Sequence, residues 1–253
     1  MNSAQTYDDL AEHYHLIFED WDASIERQAT VLGTILKQNC GLPASARILD
    51  CACGIGTQAL GLAKMGFQVS GCDISANAIK RARQEAVQRN LDIDFSVNNM
   101  LTLNSIQGQF DAVICMDNAL PHLESVEQLA RATQQIRSKL ISDGVFIASI
   151  RDYERLIDER PAVQSPTFYG NQGSRRIIFQ VWDWLDDRRY IFHLYITCES
   201  ADGWRTFYTS GLYRAIRKDE LSAALKDAGF NNVHWLAPQE SGFYQPIVLA
   251  AAN

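Results

Sequence analysis

The run from Arg47 to Ser75 constrains this chain more than any other. It reads Arg-Ile-Leu-Asp-Cys-Ala-Cys-Gly-Ile-Gly-Thr-Gln, then a short helical stretch, then Val-Ser-Gly-Cys-Asp-Ile-Ser. An apolar strand, a glycine turn, a helix and a second strand ending in an acid form half of a nucleotide-binding α/β unit. The acid falls where ribose hydroxyls would lie.

The flanking chain continues the alternation. Strands are expected at Ala46–Cys51, Phe67–Cys72, Ile93–Val97, Phe110–Met116 and Val145–Ile150. Helices between them carry Ala59, Leu60 and Ala63; Ala78, Ile79, Ala82 and Ala86; and a run opened by the capping box Ser125-Val-Glu-Gln128. Repeated β-α units imply right-handed crossovers and a parallel sheet. The pattern then changes: Ile177–Trp184, Tyr190–Cys198 and Trp204–Tyr213 alternate as a three-stranded antiparallel meander. A helix over Asp219–Ala228 and two strands near Asn232–Trp235 and Gln245–Ala251 finish the chain. No helix fits between those two strands, so they are expected to pair antiparallel.

Before the first strand, residues 1–23 are rich in aromatics and acids, with Tyr7 and Tyr14 a heptad apart. Two readings stand: an amphipathic helix packed on the domain, or a mobile cover whose aromatics face a ligand. The expected organisation is one domain over 1–253. It comprises a helical cover (1–40), a cofactor-binding core (41–155), an antiparallel insertion (156–215) and a last helix with closing strands (216–253).

Bulk properties exclude some partners. A net charge of −7 argues against nucleic acid, which needs clustered Lys and Arg. No apolar run approaches the ~20 residues that span a bilayer, and no secretory signal is visible. Most of the six cysteines sit in expected strands, and Cys51 and Cys53 lack the usual zinc spacing. A reduced cytoplasmic protein without a metal is expected.

The glycines alone do not choose a ligand. A dinucleotide site offers a helix N-terminus to a pyrophosphate, and its strand runs apolar up to the first glycine. Here Asp50 sits four residues before Gly54. A carboxylate there repels a pyrophosphate but helps to hold a cation. S-adenosylmethionine carries a sulfonium and an ammonium and no phosphate, so Asp50 favours it over NAD.

Asp50-Cys-Ala52-Cys53-Gly54-Ile-Gly56 resembles the acid-x-Gly-x-Gly-x-Gly pattern of class I S-adenosylmethionine-dependent methyltransferases, with Ala52 in place of the first glycine. The resemblance implies a Rossmann-like, doubly wound, seven-stranded, mostly parallel sheet with an antiparallel last strand. It further implies that Asp73 takes the ribose hydroxyls, that Gly54 and Gly56 allow close backbone approach, and that Ile74 packs on the adenine. Asn99-Met100 stands where the family often has an acid and an apolar residue reading the adenine amino group. Ala52, Cys53 and Met116 complete the implied cofactor surroundings.

A narrower resemblance concerns the acceptor. Phe110-Asp-Ala-Val-Ile-Cys-Met-Asp-Asn118-Ala-Leu-Pro-His122-Leu and Ser149-Ile-Arg151-Asp-Tyr153 are similar to segments of glycine N-methyltransferases. This implies that Asn118 orients the acceptor and that Arg151 binds its carboxylate, with His122 or Tyr153 assisting proton loss. The implied reaction is N-methylation of an amino acid or related carboxylate-bearing amine by in-line displacement. An O-methyltransferase of another metabolite, an NAD-dependent oxidoreductase and a non-catalytic S-adenosylmethionine-binding protein stay open as alternatives. Arg151 also has a bland reading, an ion pair with Asp117, Asp152 or Glu154.

Overall fold

Strand β1 (Arg47–Asp50) lies at the centre of the main sheet because every side chain after Arg47 is buried, Ile48 toward one face and Leu49 toward the other. A computed structural model describes residues 3–252. Beside β1 run β2 (Gln68–Asp73), β3 (Asp94–Val97), β4 (Phe110–Cys115) and β5 (Leu140–Ser149), all parallel. Their buried, near-continuous apolar runs suit a sheet covered on both faces. On one face lie α2 (Trp21–Thr34), α3 (Thr57–Lys64) and α4 (Ala76–Gln88), which follow α1 (Ser3–Leu10). The other carries α5 (Val126–Ser138) and α7 (Lys218–Asp227), with α6 (Tyr153–Glu159) between them in sequence.

The remainder of the chain forms two antiparallel arrangements. β6 (Val163–Tyr169), β7 (Arg176–Trp184), β8 (Arg189–Ser200) and β9 (Gly203–Arg214) make a separate sheet in that order. β10 (Phe230–Leu236) and β11 (Ile247–Ala252) complete the main sheet, giving β10-β11-β5-β4-β1-β2-β3. β11 is antiparallel to both of its neighbours. The second sheet turns Tyr190, Phe192, Leu194 and Ile196 of β8 inward onto the core, a period-2 burial that fixes its register.

Five expectations need correction. The insertion has four strands, not three. β6 escaped because it contains Pro166, pairs irregularly between Gln164 and Thr167, and is exposed along nearly its whole length. A boundary at 155/156 falls inside α6. A one-turn helix, α8 (Pro238–Ser241), does fit between β10 and β11, yet it is too short to carry a crossover. β5 starts at Leu140, with Asp143 at φ +63° inside it, rather than after Gly144. The capping box is half formed: Ser125 Oγ accepts from Gln128 N (3.2 Å), while Gln128 Oε1 accepts from Glu124 N.

The N-terminal cover is tied at both ends. Thr6 Oγ1 donates to the Ser210 carbonyl on β9 (2.8 Å), and Asp8 Oδ1 accepts from Ser75 Oγ (2.6 Å) and Asn77 N (3.0 Å) at the start of α4. α1 thereby bridges the two sheets over the carboxyl ends of β1, β2 and β4, the usual ligand position in such sheets. Among the described residues, no helix is long and apolar enough to cross a membrane.

Candidate active site

Two cavities adjoin at those strand ends. The smaller, about 270 Å³, is lined by residues from the glycine turn, the end of β2, the loop after β3 and the end of β4. It brings together Ala52, Cys53, Gly54, Asp73, Ile74, Asn99, Met100 and Met116, all expected from sequence. Gly56 lies behind it at φ +99°, starting α3, where a Cβ would press on Leu60 at 3.2 Å. Gly54 is at φ +52°, and a Cβ there would meet nothing within 4 Å, so its backbone borders open space. That is the cradle a closely approaching ligand requires.

Asp73 holds this turn in place. Its Oδ2 accepts from Gly54 N and its Oδ1 from Ser75 N, both at 2.9 Å. A carboxylate has about four acceptor positions, so two remain for a vicinal diol. Burial raises its pKa, opposed by these backbone N–H groups. Asn99 differs from its implied role: its Oδ1 accepts from Leu101 N (2.8 Å), so the side chain first orders the loop. Asn98, beside it, also lines the cavity and was not expected.

Asp50 is fully buried beneath the turn rather than in the cavity wall. Oδ1 has one long contact from Ala52 N (3.4 Å), and Oδ2 has no partner. Burial pushes its pKa up to about 8, offset by Ala52 N–H and reinforced by Asp73 and Asp117. The smaller cavity has no Lys or Arg in its lining, while Asp73, Asp117 and Glu124 contribute carboxylates. Such a donor set fits a cationic nucleoside and opposes a pyrophosphate.

The larger cavity, about 1310 Å³, opens between the N-terminal segment, the second sheet and the loop before β11. It contains Arg151 and Asn118. A closed ring of hydrogen bonds fixes them. Arg151 N donates to Asn118 Oδ1 (3.0 Å), and Asn118 Nδ2 donates to Tyr153 Oη (3.0 Å). Tyr153 Oη meets Tyr190 Oη at 3.2 Å, and Arg151 Nη1 donates to Tyr190 Oη (3.0 Å). Arg151 Nη2 reaches Gln180 Oε1 (3.3 Å), and the guanidinium lies 4.9 Å from the Trp182 ring centre. Among the described residues it has no carboxylate partner, so the ion pair with Asp117, Asp152 or Glu154 does not form.

Tyr153 is fully buried and lines neither cavity; it braces Asn118 rather than reaching a substrate. His122 belongs to the other side, in the smaller cavity, with Nε2 2.7 Å from Tyr7 Oη. Burial, aided by the Arg151 charge and opposed by a backbone bond to Leu212, lowers its pKa to about 4. The ring is neutral at pH 7.

Tyr7, Tyr14 and Asp117 line both cavities. The heptad spacing had marked the two tyrosines as aromatics that face a ligand or the core. Asp117 carried no such signal. It sits at φ +55° after β4, with Oδ1 accepting from Tyr244 Oη (2.6 Å) and Oδ2 from Gln58 Nε2 (2.8 Å).

The chain has been compared with known proteins. A family model described as a methyltransferase domain matches residues 48–144. That segment, the seven-stranded sheet and the cavity at its strand ends are those of an S-adenosylmethionine-dependent methyltransferase. It is 32% identical over 146 residues to the glycine/sarcosine N-methyltransferase of Parasynechococcus marenigrum (strain WH8102), covering 57% of this chain and 50% of that one. To the glycine/sarcosine N-methyltransferase of Aphanothece halophytica it is 25% identical over 231 residues, covering 89% and 80%. Its fold matches that of CalS10, an amino pentose methyltransferase of Micromonospora echinaspora solved with bound S-adenosylmethionine. There the TM-score is 0.73, the identity 20%, and the coverage 91% of this chain and 92% of that chain.

Proposed function

We propose that this enzyme N-methylates a small amine that carries a carboxylate. The supporting observation is Arg151: a guanidinium held by neutral partners, facing a cavity, with no protein carboxylate to balance it. A partly buried charge left unpaired is costly unless a ligand completes it, and a guanidinium fork matches a carboxylate bidentately. The relatives named for glycine and sarcosine support the amine. A volume of about 1310 Å³ exceeds what glycine would fill, which favours a larger acceptor. Amino sugars bearing an anionic group are a second reading, supported by that volume and by the shared fold of the amino pentose methyltransferase. The six free thiols and the absence of a membrane-crossing helix among the described residues support a cytoplasmic setting.

The cofactor supplies an electrophilic methyl carbon on sulfur. Asp73 and Gly54 would hold the nucleoside, with Ile74 and Met100 beside its base and the cavity carboxylates Asp73, Asp117 and Glu124 facing its cationic end, while Asp50 supports the turn from below. Asn118 fixes Arg151, and Arg151 anchors the acceptor so that its nitrogen lies near the opening between the cavities. Tyr7 and Tyr14 close that opening against water. Such positioning contributes ~7–11 kcal/mol of barrier lowering without a nucleophilic side chain.

A screen of S-adenosylhomocysteine release over amino acids, amino sugars, phenols and carboxylates tests the reading. Arg151→Ala is expected to raise KM about 100-fold for anionic acceptors and to leave neutral ones unchanged. Equal losses for both would remove the carboxylate from the proposal.

A further inference from the structure

Asp117 lines both cavities, an overlap it shares among the described residues with Tyr7 and Tyr14. Its carboxylate is tightly placed. Gln58 Nε2 spends its protons on Gln28 Oε1 (2.7 Å) and Asp117 Oδ2 (2.8 Å), and Tyr244 donates to Asp117 Oδ1. No Lys, Arg or His forms an ion pair with it among the described residues. Two of about four acceptor positions are used. An anion and a cation, Asp117 and Arg151, therefore face one acceptor cavity from the ends of neighbouring strands, each held by neutral donors or acceptors and neither paired with the other.

From this we infer that Asp117 recognises the acceptor's amino group and holds its N–H at the opening between the cavities. The enzyme then selects acceptors with a cationic or hydrogen-bond-donating nitrogen at one end and an anion at the other. The inference rests on the N-methylation reading. In the transfer, a cationic acceptor first releases one N–H proton to solvent; the nitrogen lone pair then forms the N–C bond, the C–S bond breaks, and its electron pair goes to sulfur. Positive charge thus leaves sulfur and develops on nitrogen, beside the Asp117 carboxylate. A fixed anion at the place where charge appears lowers the barrier as well as binding the substrate. Burial raises the Asp117 pKa, opposed by the hydrogen bonds from Tyr244 and Gln58.

Three probe pairs test this: glycine with acetate, phenylalanine with 3-phenylpropionate, and 4-aminobutyrate with butyrate. Binding of each to the enzyme saturated with S-adenosylhomocysteine is measured by calorimetry, for wild type and for the isosteric Asp117→Asn. In wild type, at least one amine should bind about 10- to 100-fold more tightly than its desamino partner. In Asp117→Asn that preference should fall to less than threefold, while the desamino probe binds as before and thermal unfolding stays cooperative, showing an intact fold. An unchanged preference in Asp117→Asn overturns the Asp117 assignment alone. Absence of any preference in wild type overturns it too. If the release screen also shows methyl transfer only to hydroxyl acceptors, the N-methylation reading falls separately.

Discussion

The two adjoining cavities are built in opposite ways. The smaller draws its key contacts from neighbours in sequence: Asp73 reaches Gly54, 19 residues back, and Ser75, two residues on. The larger is stitched from distant parts: Asp117 meets Tyr244 across 127 residues, and Arg151 meets Tyr190 across 39. Their charges differ as well. One has acids and no Lys or Arg in its lining; the other has Arg27, Arg151, Arg155 and Lys218. On the proposed reading, a cofactor shared by a whole class is served by a local turn, and acceptor choice by a wall assembled from the insertion, the N-terminal segment and loops.

The contrast can be broken from the N-terminal side first. Deleting residues 1–20 removes Tyr7, Tyr14 and the ties to Ser75 and Ser210 while leaving the β-α core. Turnover should fall about 100-fold or more, as expected when reacting groups lose their alignment, with the melting transition still cooperative. Unchanged turnover would show that the cover plays no part. Asp73→Ala should act on the other cavity alone. It is expected to weaken S-adenosylhomocysteine about 10- to 100-fold by calorimetry, the effect of losing hydrogen bonds to a charged group. Undiminished affinity would refute the ribose assignment.

The smallest effect expected is on stability. The Asp50 carboxyl titrates near 8 when folded and near 3.8 as a free group. The folded protein therefore holds a proton that the unfolded chain releases across this range. Stability from this group is full below pH ~3.8 and is lost as pH rises toward 8. Asp50→Asn should accordingly stabilise the ligand-free enzyme at pH 8 by ~1–3 kcal/mol, with the difference vanishing near pH 4. Denaturation at the two pH values reads this directly.

Legibility follows the same division. Gly54 and Asp73, which line the smaller cavity, were readable because the strand-turn-helix-strand unit puts chemistry and fold in one short run, whereas Asp50 in the same run lies beneath the turn and outside the lining. The parallel strands followed from the β-α pattern and the antiparallel last strand from two closing strands joined by no crossover helix, while the doubly wound, seven-stranded arrangement came through the resemblance. Asn118 and Arg151 were found through the resemblance, and the structure brings them into contact. Tyr153 belonged with them, but as a buried brace. Asp117 was invisible as a site residue, since nothing near it in sequence announces Gln58 or Tyr244. β6 was hidden because an exposed edge strand with a proline shows neither alternation nor apolar bias.

The position of β11 has a consequence for how the enzyme comes into being. This strand enters between β5 and β10, so the main sheet stays open on that side until β11 is made. The cofactor half is complete once about 150 residues exist. The acceptor wall, with Tyr244 and Gln245, awaits roughly 100 more, about 5–20 s of translation. During that interval the nascent enzyme has a formed turn for its methyl donor and no means of choosing what to methylate.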